Sequence, residues 1–571
     1  MSQSEEYEEE KEGVNPSVYE HAARSFRAMT MLKQDISISS GPAVLIKSST
    51  QAGLLAKDLL LGLSNASMGN RYSTFHIREL LDALLEAFPE KVLSAAAAGG
   101  KQCVQDHFGP LLTTDQTLSI LCHLVCYGCT GRKGIASAEK STQHTAMYPH
   151  LHNASKSKIS LGQRRKFVKA MADFHLMEAL VQCLTSTSGD SLSSNVPTAN
   201  ELGEEVCETI LTILEVVGYP PGDPPPQMQN QAVDKQKEDA MVGEDVLLSP
   251  LASSNWWQTL FETLQRPDCS IEQMEAIART CTQVFALATG NSSRVCKSHA
   301  PATDATEQTS EEIVEEKEVN GLNRLTAWGL TDKMHEALLT QLPLLVSVLN
   351  LPTQDILDHQ ATTSTNPPIE GDVNSLEENI RHPGRYQTKP LGSWRLQLLS
   401  LLKEIIIYRS RKSATEKLSM ASANLPRNAL DLIMELPVPP EILKSKREKK
   451  NPTSENDTET SIATIYNPWP ALCSFVWAYP NNDFYHIIFF QMLKSVVLEH
   501  HEATLRLILQ KSKFLTRAVR SLSTAGALQG ALINSLNLLH LRSQSLPPSA
   551  FLPQYLGSHD GWKDKKDELK Q

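Results

Sequence analysis

The stretch from Asn467 to Arg520 constrains the fold most, because it holds the densest run of apolar and aromatic residues in the chain. Tyr479-Pro480-Asn481-Asn482-Asp483 interrupts this run. Proline ends a helix, and Asn or Asp side chains accept hydrogen bonds from the free N–H groups of the next one. The sequence predicts a helix before this turn, a second one from Phe484 on a stripe that includes Ile487 and Ile488, and a third over Glu502–Arg520. Helices this apolar need neighbours on both sides, which is typical of stacked helical repeats.

The same helical spacing of apolar residues recurs along the whole chain, and no run alternates as a strand would. Aromatic residues make up only 6% of the sequence, which is rich in Leu and Ala, and this composition favours helix. A chain of 571 residues is too long for one compact core. We expect an all-α fold, an elongated α-solenoid of paired helices similar to HEAT or armadillo repeats, with long disordered inserted loops.

Alternating apolar and polar stretches predict the organisation of the chain. The segments are an acidic disordered tail (1–15), N-terminal helical repeats (16–217), a Pro-rich linker (218–254), a helical pair (255–289), an acidic linker (290–325), a helix (326–351), a further linker (352–388), C-terminal helical repeats (389–545) with a charged loop (440–465), and a C-terminal tail (546–571). Within the N-terminal repeats, the helix Leu161–Leu184 is expected to bend near Asp173.

Charge and targeting signals bear on partners and compartment. The formal charge of -11 argues against nucleic acid or an anionic membrane as the main partner, since both need basic faces. The N-terminus is acidic and lacks the apolar core of a secretory signal, and no apolar run approaches the ~18 residues that span a bilayer. We expect a cytoplasmic protein without membrane insertion. The basic run Lys444–Lys450 leaves a nuclear location as a minor alternative.

One cysteine group has the residue types of a metal site. Cys126-x-x-Cys129 follows Cys122-His123, and His144, His150 and His152 lie in the next loop, so zinc is conceivable. Cys122 and Cys126 also share a helical stripe with apolar neighbours, where small thiols simply pack. No second Cys-x-x-Cys pair exists in the sequence, and packing is the favoured interpretation, with no metal and no cofactor.

Other short patterns share some residue types with enzyme motifs but lack the features that the chemistry needs. Gly189-Asp190-Ser191-Leu192 resembles an esterase signature, but no strand precedes it to form a nucleophile elbow. Gly99-Gly100-Lys101 lacks the first Gly and the hydroxyl of a phosphate loop. His500-His501-Glu502 is interpreted as a helix boundary. Trp256, Trp257, Trp469 and Trp477 fit either core packing, which is favoured, or partner anchors. We expect no enzymatic activity.

An ordered set of motifs over residues 70–565 resembles the SAPS-domain family, the regulatory subunits of the serine/threonine protein phosphatase 6 (Sit4-type) catalytic subunit. The segments that resemble the family are RYSTFHIRELLDALLEAFPEKVLSA (Arg71–Ala95), GPLLTTDQTLSILCHLV (Gly109–Val125), RRKFVKAMADFHLMEALVQCL (Arg164–Leu184), PLGSWRLQLLSLLKEII (Pro390–Ile406) and AYPNNDFYHIIFF (Ala478–Phe490). The last resembles the family's most recognisable motif, although the chain has Asn481-Asn482-Asp483 where the family has Trp-Asn-Asn.

This resemblance implies a non-catalytic scaffold that binds the phosphatase catalytic subunit, with ankyrin-repeat or other adaptor subunits as further partners, and directs it to substrates. It implies partner-binding roles for Asn481, Asn482, Phe484, Tyr485, His486 and Arg395. Independently, the sequence lacks the Asp/His/Asn clusters with which a metallophosphatase holds two metals. The alternatives are an unrelated helical-repeat adaptor for transport or the cytoskeleton, and a hydrolase using Ser191 or a zinc enzyme using Cys126 and Cys129.

Overall fold

Every regular element of the chain that can be described is a helix. The computed structural model describes residues 26–31, 49–65, 71–98, 115–129, 161–186, 199–218, 244–291, 324–349, 391–416, 428–438, 466–522 and 526–565. These residues contain no strand, which confirms the all-α prediction. None of their helices combines the length and the apolarity needed to cross a bilayer. The acidic tail, the linker 352–388, the charged loop 440–465 and the Ser191 motif lie outside the described residues.

The helices are numbered here in chain order. They are α1 (Ser49–Asn65), α2 (Arg71–Ala87), α3 (Pro89–Ala97), α4 (Asp115–Cys129), α5 (Leu161–Asp173), α6 (Leu176–Thr185), α7 (Ala199–Gly218), α8 (Glu244–Leu248), α9 (Ser254–Leu264), α10 (Ile271–Ala288), α11 (Arg324–Ala327), α12 (Leu330–Thr340), α13 (Leu342–Leu349), α14 (Ser393–Glu416), α15 (Ala429–Glu435), α16 (Trp469–Ala478), α17 (Asp483–Glu499), α18 (Glu502–Leu505), α19 (Phe514–Ser521), α20 (Gln529–Ser545), α21 (Phe551–Ser558) and α22 (Asp560–Lys565).

The chain forms two compact units, and the first consists of Met1–Leu251 with Gly290–Leu330. Here α3 packs on α1 and α5, while α4 packs on α2 and α7. The predicted bend near Asp173 is confirmed: α5 ends there and α6 begins at Leu176. His175 between them adopts the left-handed conformation, with φ 60°. The break lets both helices bury their apolar faces, for example Phe167 on α5 and Leu180 on α6.

In the second unit, Ala252–Thr289 with Thr331–Gln571, nine of the described helices pack in two rows. In the first row α10 packs on α14, α14 on α17, and α17 on α20. In the second row α9 packs on α13, α13 on α15, α15 on α18, and α18 on α21. Hydrogen bonds tie the first row together. The Thr282 hydroxyl donates to the Gln397 carbonyl at 2.7 Å, and Arg542 donates to the Leu498 carbonyl at 2.9 Å.

Proline and backbone conformation break two helices that the sequence predicts as continuous. The single helix predicted over 326–351 divides into α12 and α13 at Gln341, and Pro343 stands in the first turn of α13, where its missing N–H costs nothing. The stretch Glu502–Arg520 divides into α18, a π-helix over Arg506–Lys511, and α19. Lys513, with φ 54°, separates the last two.

The region 546–565 holds two packed helices, whereas the sequence predicts a tail there. Phe551, Leu552 and Leu556 of α21 are buried, and so is Trp562 of α22. The helices are short and carry few apolar residues, so their periodicity is weak. Packing of α21 on α20, and of α22 on α19 and α21, supplies the burial that helical propensity alone does not.

A neutral histidine lies in the core of the second unit. His335 of α12 is fully buried, its ring centroid is 4.7 Å from that of Tyr408, and it stacks on Phe285 at 6.2 Å. Its Nε2 lies 3.2 Å from the Ile405 carbonyl oxygen. Burial lowers the pKa of His335 to about 4, although the Ile405 carbonyl opposes this shift. The imidazole is therefore uncharged at neutral pH.

Replacing His335 with Gln should flatten the acid limb of the stability profile. In the unfolded chain His335 takes up a proton near pH 6.5, and in the folded chain only near pH 4. Its contribution is therefore complete above pH 6.5 and is lost on acidification towards pH 4, by about 1.4 kcal/mol per pH unit. Urea unfolding of the wild type and His335→Gln at several pH values measures the difference. Equal slopes over that window would contradict the assignment.

Candidate functional site

The turn between α16 and α17, together with the first turn of α17, carries five of the six predicted site residues and is built on a cap. α16 ends at Ala478, and α17 begins at Asp483. The side-chain oxygen of Asn482 accepts a hydrogen bond from the Tyr485 backbone N–H at 3.0 Å, which confirms the cap predicted from the sequence. Asp483 adds a negative charge to the first turn, where the helix dipole favours it. The cap fixes where α17 starts.

Tyr485 joins the two helices from inside their shared core. Its side chain is fully buried, and its hydroxyl donates to the Leu472 carbonyl of α16 at 2.5 Å. Its ring stacks on Phe489 at 6.1 Å and meets Phe475 edge-on at 6.2 Å. Burial raises the pKa of Tyr485 well above its usual value. The hydroxyl therefore stays protonated as a donor and supports the helix pair.

His486 is also buried and lies beneath the turn. Burial lowers the pKa of His486, against the opposing effects of the Val476 carbonyl, the Asp483 carboxylate and the Tyr479 carbonyl. Its Nδ1 lies 3.9 Å from the Asp483 Oδ1. The lowered pKa keeps this ring neutral at physiological pH. In the isolated chain, His486 packs in the core beneath the turn.

Arg395 of α14 belongs to the same interior. It is buried, and its guanidinium lies 4.7 Å above the ring of Trp394. Burial lowers the pKa of Arg395, and nearby Tyr479 opposes this shift. Gly392, with φ 84°, leads into α14, and a Cβ there would lie 3.2 Å from the Trp394 indole nitrogen. Glycine thus lets Trp394 and Arg395 enter the core.

The outer face of α17 leaves large apolar side chains in solvent. Phe484 is 76% exposed and Ile487 is 57% exposed. Gln491, Lys494 and Leu498 continue this face at helical spacing, and all three are exposed. The structure corrects the predicted core stripe: Phe484 and Ile487 point outward, while Tyr485, Phe489, Met492 and Val496 are buried. Phe484 and Ile487 together are called the α17 surface pair below.

The six predicted partner-binding residues divide by exposure. Phe484 and Asn481 are exposed, Asn482 is half-buried as the cap, and Tyr485, His486 and Arg395 are buried. Five of the six lie in the turn between α16 and α17 or in the first turn of α17, and Arg395 lies near the start of α14. Their role in binding stays a prediction. The sequence pattern predicts Ile487 in the core, whereas the structure exposes it. The polar residues Gln491 and Lys494, spaced four and seven positions later, were the available signal for the solvent face.

The structure describes only some of the residues of the predicted cysteine and histidine group. Cys126 and Cys129 lie in the last turn of α4, while His144, His150 and His152 fall outside the described residues. Among the residues described, no three His, Cys, Asp or Glu side chains gather as a metal site would require. Trp257 and Trp469 are fully buried, as core packing predicts.

His501 sits in an arrangement that superficially resembles a catalytic triad. Its Nδ1 lies 2.7 Å from the Thr504 hydroxyl, and its Nε2 lies 2.8 Å from the Asp431 Oδ1. Thr504 is fully buried, so no substrate could reach its hydroxyl. His501 accepts from the Thr504 backbone N–H and begins α18, which confirms the predicted helix boundary. The contact with Asp431 ties α15 to α18.

Neither protein-family models nor curated proteins nor solved structures match this chain. What it does is therefore inferred from its own residues, and above all from the turn that caps α17.

Loss of the Tyr485 hydroxyl should loosen α17, because the Leu472 carbonyl would lose its buried donor. We expect Tyr485→Phe to lower the opening free energy of α17 amides by about 1–2 kcal/mol. Native-state hydrogen exchange over Asp483–Glu499 measures it. Phe484→Ala is the matched control at the adjacent exposed position, and it should leave these amides within about 0.5 kcal/mol of wild type. Equal exchange in both variants would refute the assigned role of the hydroxyl.

Proposed function

We propose that this chain is a non-catalytic regulatory scaffold that binds the catalytic subunit of a serine/threonine protein phosphatase of the phosphatase 6 (Sit4) type and directs it to substrates. The observation that carries the proposal is the α17 surface pair. Phe484 and Ile487 stand in solvent on a capped, tightly packed helix. They lie within Ala478–Phe490, the segment whose residues most resemble the motif of phosphatase-binding scaffolds.

The exposure of the pair favours a binding role. A single exposed apolar residue needs no explanation. Here an aromatic and an aliphatic side chain are exposed one turn apart on a helix held in place by Tyr485 and the Asn482 cap. Such a rigid apolar pair suits a partner, since little side-chain and backbone freedom is lost on binding. Burying each side chain would contribute about 1.5–3 kcal/mol.

The two rows of helices in the second unit support an extended binding scaffold. We interpret them as part of an α-solenoid of the HEAT or armadillo kind, in which α10, α14, α17 and α20 present successive helices to one side. Stacked repeats of this kind offer a long surface to a globular partner. In this proposal the phosphatase engages the α17 surface pair, and ankyrin-repeat or other adaptor subunits bind elsewhere.

The charge of the chain agrees with a protein partner in the cytoplasm. Its formal charge of -11 is the wrong sign for nucleic acid or an anionic membrane. We propose that catalysis is left to the bound phosphatase, and that this chain supplies location and substrate choice.

Affinity capture tests the function and the surface together. The full-length chain, tagged and expressed in cells, should recover a phosphatase 6-type catalytic subunit in near-stoichiometric amount, quantified by mass spectrometry. Phe484→Ala combined with Ile487→Ala should reduce this recovery by about tenfold or more, because two apolar anchors are lost.

Leu54→Ala is the matched control, since Leu54 is 60% exposed on α1 of the other unit. It should capture phosphatase like the wild type, and all variants should show the same helical circular dichroism. Capture that is unchanged in the double variant would remove the α17 surface pair from the interface. Recovery of transport or cytoskeletal proteins without any phosphatase would favour the unrelated helical-repeat adaptor instead.

A further inference from the structure

An apolar groove with an acidic rim opens on the second row of helices in the second unit. It has a volume of about 540 Å³ and lies between α12, the start of α13, and α15. Its apolar walls come from Leu339, Leu342, Leu432 and Leu436, and its rim carries Glu336 and Glu435. Both carboxylate side chains are exposed. The groove therefore combines an apolar floor with negative charge at its mouth.

The charged insert 439–465 is fastened at one end of this groove. The chain leaves α15 through Leu436, which lines the groove, and returns at Tyr466. The Asn467 backbone N–H donates to the Pro437 carbonyl at 2.8 Å, and its side-chain amide donates to the Ile433 carbonyl at 2.8 Å. The insert therefore begins and ends beside the groove. Ile442 lies six residues beyond Leu436, a reach of at most about 20 Å.

The sequence just beyond this exit has the chemistry that the groove would recognise. Ile442 and Leu443 form an aliphatic pair. Five basic residues and one acidic residue follow within the next seven positions, up to Lys450. Aliphatic side chains suit the leucine walls, and lysine or arginine suits the two glutamates on the rim.

We propose that the groove is the docking site of the chain's own segment Ile442–Lys450. Ile442 and Leu443 enter between the leucines, and the basic residues after them lie against Glu336 and Glu435. Because both ends of the insert are fastened beside the groove, the effective concentration of the segment there is on the order of millimolar. Weak contacts then suffice for occupancy. The segment competes with any outside peptide of the same aliphatic and basic character.

Carbodiimide cross-linking of the intact full-length protein tests this docking. The reagent joins a carboxylate to a lysine amine only when the two are in contact. Glu336 is the diagnostic carboxylate, because it is far from the insert in sequence, whereas Glu435 is near it. We expect isopeptide links from Glu336 to lysines within 444–450, identified by peptide mass spectrometry. Absence of every such link would overturn the proposal.

Paired variants separate docking from chance encounters of opposite charges. Ile442→Ser with Leu443→Ser keeps all charges and should lower the Glu336 cross-links at least about fivefold, because the apolar contacts are lost. Ile462→Ser with Ile465→Ser, in the same insert, is the matched control and should leave them unchanged. Equal cross-linking in both double variants would overturn the proposal.

A synthetic peptide of residues 439–451 distinguishes a groove filled by the chain's own segment from a groove that is open to an outside partner. It should cross-link to Glu336 in the Ile442→Ser, Leu443→Ser chain and much less in the wild type, where the groove is filled. Equal labelling of the two chains would show that the groove is open to an outside partner, which contradicts docking by the chain's own segment.

Discussion

The rotation of α17 about its own axis determines which of its faces packs in the second unit. Tyr485 sets this rotation. Its hydroxyl binds the Leu472 carbonyl of α16, and its ring lies against Phe489 inside the core. Because Tyr485 points inward, the residues at helical spacing from it also point inward. α17 therefore packs on α14 and α20 through one continuous buried face. The solvent face is then fixed as well, and Phe484 lies on it.

This constraint explains how one short motif can serve both structure and binding. The Asn482 cap sets the first turn, Tyr485 and His486 fill the interior, and Arg395 is buried against Trp394 near the start of α14. None of these three buried side chains is available to a partner on the folded surface. The cap and the buried Tyr485 hold Phe484 in solvent, and we propose the binding role for Phe484 and Ile487 on the outer face.

The sequence predicts the fold class and several boundaries because local signals decide them. Ser270 caps α10 within the predicted helical pair 255–289, and Asn482 likewise marks the start of α17. The rotation of α17 is ambiguous over its first two turns, where both faces are apolar. Gln491 and Lys494 mark the solvent face further along, and the contacts with α14, α16 and α20 decide which face is buried. The break at Gln341 and the short helices within 546–565 likewise depend on packing rather than on local propensity.

Recognition at the two proposed surfaces of the second unit would follow different physics. The proposed phosphatase interface relies on exposed apolar side chains of the first helix row, while the groove on the second row adds charge. Salt would not screen the apolar phosphatase interface. Docking in the groove would weaken as salt screens the charges of the two glutamates. Separate surfaces of this kind let one scaffold hold its enzyme while another site changes occupant.

The proposed function depends on direct binding of a phosphatase catalytic subunit by this chain. Sedimentation of the purified chain mixed with a purified phosphatase 6-type catalytic subunit, each at about 10 µM, tests it without other proteins. We predict a one-to-one complex that sediments faster than either component. Two independent boundaries at this concentration would contradict the account.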